Sequence, residues 1–185
     1  MSYAVISIIT TFYFFIRYTE ADKKGLVFLL LFNNYLVFIC QSIVGFPSLK
    51  EVYRIQRLNL SVWHPNINLQ LFADGLHFGE LTNLLMFVPI GFLIAILWHY
   101  SFSKFGQMLL VFLISLVIEI GQLFTLYRVT DITDLVINTL GGCLGILLFS
   151  YYQRKKTVTS PLPKSHILEP FICAFLAFTV SFFFS

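Results

Sequence analysis

What most limits this chain is its division into long apolar runs separated by short polar links. Leu26–Gly45, Leu81–Trp98, Gly106–Tyr127 and Ile132–Tyr152 each match the length of about 17 to 25 apolar residues that a membrane-spanning helix needs. Met1–Ile16 and Ile167–Phe184 are shorter runs of the same character. Glu169 and Pro170 put the start of the last helix near Pro170, because proline suits a first helical turn. No basic residue precedes the first run and no small-residue cleavage site follows it, so it is expected to be retained as a membrane segment. One soluble core could not hide this much apolar surface. Hydrophobic residues make up 58% of the chain, with 22 Phe, and only 11% is charged, against about 25% in an average soluble domain. The expected fold is all-α, a polytopic transmembrane helix bundle of about six helices.

The links carry the charge. Residues 17–25, 99–105 and 153–166 together hold eight Lys and Arg, whereas 46–80 and 128–131 hold four. The richer set belongs in the cytoplasm. A multi-pass cell-membrane protein with both termini extracytoplasmic follows, with the 46–80 loop and the Arg128 turn on that same outer side. The net charge of +3 is scattered between apolar runs and forms no stripe, so nucleic acid is not an expected partner. Cys40, Cys143 and Cys173 lie inside apolar runs and read as small apolar residues. Three regions follow: 1–68 as N-terminal spans and outer loop, 69–152 as the core, and 153–185 as a basic linker and last span.

Polar residues inside the spans point to a site. Asn83 opens the third span. Glu119 and Gln122, three apart, share a face of the fourth. Asp131, Asp134 and Asn138 open the fifth on one face, and Gly141 and Gly145 continue it in a G-x-x-x-G spacing that permits close helix approach. The third span enters from outside, the fourth exits there and the fifth re-enters, so all of these fall in the outer half of the bilayer. Glu119 lies eight residues before Tyr127, which puts it roughly 12 Å from the expected helix end, near the midplane. A charge there costs about 2.5 to 3.5 kcal/mol, so Glu119 is expected to be neutral or paired, with Gln122 and Asn138 as hydrogen-bond partners. Arg128 is expected to pair with Asp131 or Asp134. The plainer alternative is that the polar residues hold helices together and the two aspartates cap the fifth helix.

Pro89 removes a helical hydrogen bond, and a kink there beside Gly91 would open space near Asn83. Asp74, His77 and Glu80 are metal-capable, but a lone histidine among carboxylates is ordinarily solvated; no metal site and no cofactor is expected. Trp63, Trp98, Tyr100, Tyr127, Tyr151 and Tyr152 stand at span ends, as an interfacial aromatic belt would.

Three motifs in order on successive spans resemble the VanZ-like family. They are Asn83-x-x-x-Phe87-x-Pro89-x-Gly91, then Glu119-x-x-Gln122, then Arg128-x-x-Asp131-x-x-Asp134-x-x-x-Asn138-x-x-Gly141-Gly142-x-x-Gly145. The resemblance covers roughly residues 69–150, with the first and last spans outside its strongest part. Asn68-Leu69-Gln70-Leu71-Phe72 resembles the family's Asn-x-x-Pro-Phe stretch, with Leu71 where proline is usual. The family is named for a membrane protein of teicoplanin resistance in Gram-positive bacteria. The resemblance implies a bacterial cell-envelope protein and, for some members, lowered susceptibility to teicoplanin-type lipoglycopeptides.

Three functions compete. The first is a non-enzymatic protein whose outer-leaflet polar cluster binds membrane lipids, a lipid-linked cell-wall precursor or the lipoglycopeptide. The second is an intramembrane enzyme acting on a lipid headgroup, with Glu119 as acid or base and the aspartates holding a cation or a water. The third is a transporter, which the small size and lack of an inverted repeat disfavour. The oligomeric state is left open.

Overall fold

The structure, a computed structural model, describes residues 8, 11–16, 23–63, 65–72, 75, 78–155 and 167–184. Residues 11–16 are helical and bury Phe14. The main elements follow in order: α1 (Lys23–Ser42), α2 (Leu49–Arg57), β1 (Ile67–Asn68), α3 (Phe78–Trp98), α4 (Lys104–Gln122), β2 (Thr130–Asp131), α5 (Ile132–Lys155) and α6 (Glu169–Phe184). Helices α1, α3, α4 and α5 are long and apolar enough to cross a membrane, and α6 is a shorter apolar helix. The chain is a membrane protein with an all-α bundle. Leucines such as Leu140, Leu144 and Leu148 of α5 stay exposed on the outside of that bundle, as lipid-facing positions would.

The tightest seam joins α3 to α5. These two helices run parallel, and glycine lets their backbones touch. A methyl on Gly141 would lie on the Leu84 carbonyl, one on Gly145 on the Val88 carbonyl, and one on Gly91 on the Gly142 carbonyl. Gly142 itself faces Val111 of α4. The match of 84 to 141 and 88 to 145 is the small-residue packing that allows close approach when lipid supplies no hydrophobic drive between helices. Helix α3 continues through Pro89. The Tyr35 hydroxyl of α1 donates to the Met86 carbonyl in the turn before it (3.0 Å).

Several expectations are corrected. The long 46–80 loop contains α2 and β1. Ser48 caps α2 by accepting the Glu51 N–H, and Leu49, Val52 and Ile55 recur on its inner face, with Ile55 fully buried. Helix α4 stops at Gln122 and residues 123–129 are irregular, so the expected run to Tyr127 is too long. Trp98 is no belt residue: it is completely buried, edge-on against Phe32 of α1. Helix α6 starts at Glu169, one residue before the expected Pro170.

The link 43–77 and the α4–α5 link meet at one end of the bundle. There β1 and β2 pair in parallel, Ile67 with Thr130 and Asn68 with Asp131, and the Thr130 N–H donates to Asn66 (2.9 Å). The candidate site lies beneath this pairing.

Candidate functional site

The site grows from the end of α4 and the start of α5. Glu119 is three residues from the end of α4, roughly 4.5 Å from it. It therefore sits in the last turn rather than near the midplane. Its Oε2 accepts the Asp131 N–H (3.1 Å), and its backbone carbonyl accepts the Thr130 hydroxyl (2.9 Å). Asp131 caps α5: Oδ1 accepts the Thr133 N–H (2.7 Å) while Oδ2 accepts Asn68 Nδ2 (2.9 Å). The Thr133 hydroxyl accepts the Phe72 N–H (3.1 Å). One turn into α5, Asp134 Oδ1 accepts Asn83 Nδ2 of α3 (2.7 Å). Asn138, a further turn in, donates to the Ser115 hydroxyl of α4 (3.1 Å).

Burial divides the set. Glu119, Gln122, Thr133 and Asn138 are buried; Asn83, Asp131 and Asp134 are half-buried. Within this set two buried acceptor oxygens have no hydrogen-bond partner, Asn138 Oδ1 and Gln122 Oε1. The arrangement is rich in acceptors: three carboxyl groups and two amide oxygens, with the available donors largely spent inside the cluster. Chemically it is suited to a group that brings N–H or O–H donors.

Comparison with known proteins bears on this geometry. A family model described as VanZ/LLP1 matches residues 2–153. The chain belongs to the VanZ/LLP1 family. The match starts near Met1, so family membership reaches well before residue 69, where the resemblance is strongest in sequence. The chain is also 32% identical to Protein VanZ of Enterococcus faecium over 105 residues, covering 53% of this chain and 63% of that protein. It thus spans somewhat under two thirds of the relative's length. No solved structure matches it.

In this VanZ/LLP1 chain the three motif segments fall on α3, the end of α4, and the β2–α5 junction. The structure brings Asn83, Glu119, Asp131, Asp134 and Asn138 to one end of the α3–α4–α5 bundle. Three expected pairings differ. Gln122 donates to the Val44 carbonyl (3.1 Å), not to Glu119. Asn138 turns to Ser115. Arg128 makes no ion pair with either aspartate among the described residues; it donates to the Ile43 carbonyl (3.0 Å) and lies against Gly45. Gly45 has φ +64°, and a Cβ there would stand 2.6 Å from Arg128 Nε, so glycine serves both the turn and the arginine. Pro89 and Gly91 lie on α3, with Gly91 in the glycine seam. Asp74 and His77 lie outside the described residues.

Sequence reasoning missed Ser115, Thr130, Thr133 and the role of Asn68. Ser115 precedes Glu119 by four residues, so its position on the same helix face was readable. Thr130 pairs with Ile67 and Asn68 with Asp131 across more than sixty residues, a pairing for which the sequence carries no local signal.

Proposed function

We propose that this protein is a bacterial cell-envelope protein that lowers susceptibility to teicoplanin-type lipoglycopeptides. In this reading residues 69–152 do the work, and the candidate site faces the outside of the cell. It binds or shields the polar head of an outer-leaflet lipid or lipid-linked cell-wall precursor. The observation that carries the reading is the gathering of Glu119, Asp131 and Asp134 at one end of the α3–α4–α5 bundle, with Asn138 Oδ1 and Gln122 Oε1 buried and unpartnered. Such acceptors suit the hydroxyl, amide and amine donors of a sugar- or peptide-bearing headgroup. Family membership supports the resistance part, and the charge distribution of the links supports the outward orientation.

Expression in a teicoplanin-sensitive Gram-positive host tests it. The minimum inhibitory concentration should rise with the wild-type chain, and Glu119→Ala should remove the rise at equal membrane abundance. No rise with wild-type protein that is present in the membrane would end the proposal.

A further inference from the structure

On the flank away from α5, helices α4 and α6 leave an apolar groove of about 870 Å³ between them. Val117 and Ile120 of α4 form one wall, and Phe171, Phe175 and Phe178 of α6 the other. The groove runs from Pro170 to Phe183, roughly 20 Å along α6, which exceeds one leaflet's share of a hydrocarbon core about 30 Å thick. Val52 of α2 and Phe124 of the α4–β2 link line its loop-bearing end.

A different surface begins there. A hollow of about 650 Å³ is lined by Lys50, Tyr53, Arg54, Arg57, Leu58 and Tyr127. The same two segments serve both places: Val52 and Phe124 face the groove, and Arg54 and Tyr127 face the hollow. Arg54 locks the segments together. It donates to the Tyr127 hydroxyl (3.0 Å), stands 5.2 Å from that ring's centre and lies 3.7 Å from Glu51. Glu51 is the one acid on α2, against Lys50, Arg54 and Arg57, so the helix keeps two net positive charges. With Val52 and Ile55 turned inward and the cations outward, α2 has the form of a helix lying in the membrane interface.

We propose that this groove holds a membrane phospholipid with an anionic headgroup, its acyl chain between α4 and α6 and its phosphate on the cationic face of α2. Charge complementarity selects the occupant. A phosphate accepts from Lys50 and Arg57, which are exposed and line the hollow on the outward face of α2, and guanidinium groups match phosphate geometry. The site is built from exposed cations and an apolar groove, not from the acceptor-rich Glu119 cluster, so it does not rest on the resistance reading.

Native mass spectrometry of the full chain, released from nanodiscs of phosphatidylcholine with phosphatidylglycerol, tests the proposal. Each surface cation near an anionic lipid is worth about a fivefold preference. K50Q/R57Q should therefore lower retention of phosphatidylglycerol relative to phosphatidylcholine about thirtyfold. K50R/R57K should keep the preference. Ala174→Phe, which fills the groove, should lower retention of both lipids. The proposal fails if K50Q/R57Q leaves the preference intact, if K50R/R57K abolishes it, or if Ala174→Phe changes nothing. It also fails if a polyprenyl phosphate displaces phosphatidylglycerol at equal mole fraction, or if the protein emerges as a lipid-free dimer. None of these results alters the expected effect of Glu119→Ala on teicoplanin tolerance.

Discussion

Asn83 of α3 donates to Asp134 of α5 at 2.7 Å, directly above the seam where the backbones of those helices touch. The next residue, Leu84, presents the carbonyl that Gly141 meets. Polar pairing at the surface end and glycine contact deeper down therefore fix one register between two parallel helices. A charge-assisted bond in a half-buried, low-dielectric place is stronger than the same bond in water.

Replacing Asn83 should expose this dependence. Asn83→Leu keeps the size and leaves the Asp134 carboxylate without its donor, at a cost of about 1 to 3 kcal/mol. Asn83→Leu combined with Asp134→Leu should recover much of that loss, because no buried acceptor is then left unpaired. Denaturation of the detergent-solubilised protein by increasing SDS fraction measures both. Equal stability of Asn83→Leu and wild type would refute the assignment.

The glycines make a sharper comparison. Gly145→Ala puts a methyl on the Val88 carbonyl, which is backbone and cannot swing away. Helices α3 and α5 must separate, and folded protein in the membrane should fall severalfold. Gly79→Ala, in the first turn of α3 with nothing within 4 Å of the added carbon, should be tolerated or stabilising by up to about 1 kcal/mol. Membrane abundance and thermal aggregation of the two variants, assayed side by side, check the contrast.

The small-residue face of α5 was legible in the sequence, its partner α3 was not, and the site's wiring was only partly so. Helices α3 and α5 lie close to the apolar runs Leu81–Trp98 and Ile132–Tyr152, because length and hydropathy alone define a span. The G-x-x-x-G spacing names the packing face for the same local reason. The end of α4 was illegible: Leu123, Phe124, Leu126 and Tyr127 are apolar without being helical. Phe124 packs edge-on against Trp63 and lines the groove between α4 and α6, so its hydropathy reports a loop contact, not a helical turn. A helix drawn on to Tyr127 places Glu119 near the midplane, whereas one ending at Gln122 places it in the last turn. The acids nearest Arg128 in sequence are Asp131 and Asp134, but its partner is the Ile43 carbonyl, 85 residues away. Side chains that seek main-chain carbonyls leave no pattern in residue types.

Asp131 holds two segments at once, so its variants should separate charge from geometry. Asp131→Asn keeps an acceptor for the Thr133 N–H and should retain most of the cap. Asp131→Ala removes the acceptors for both Thr133 and Asn68, costing about 0.5 to 2 kcal/mol at the helix start. The loss should also loosen β1. Hydrogen exchange should speed up at the Phe72 amide, which depends on Thr133, and at the Thr130 amide, which donates to Asn66. Exchange confined to the start of α5, with Phe72 unchanged, would mean the two segments are not coupled.

Sidedness can be tested with single cysteines. Among the native thiols Cys40 and Cys173 are buried, so a Cys143→Ala background should be nearly silent to a membrane-impermeant maleimide. Leu69 is 75% exposed beside β1, Tyr127 is 69% exposed before β2, and Tyr100 is 50% exposed in the α3–α4 turn. Because β1 and β2 pair, Leu69→Cys and Tyr127→Cys must label from one side and Tyr100→Cys from the other. With the lysine- and arginine-rich links inside, the first two should react on intact cells and the third only after permeabilisation. Opposite-side labelling of Leu69→Cys and Tyr127→Cys would overturn the fold. Labelling of that pair only from the cytoplasm would keep the fold but turn the Glu119 cluster inward, away from the outer-leaflet lipids and precursors it is proposed to meet.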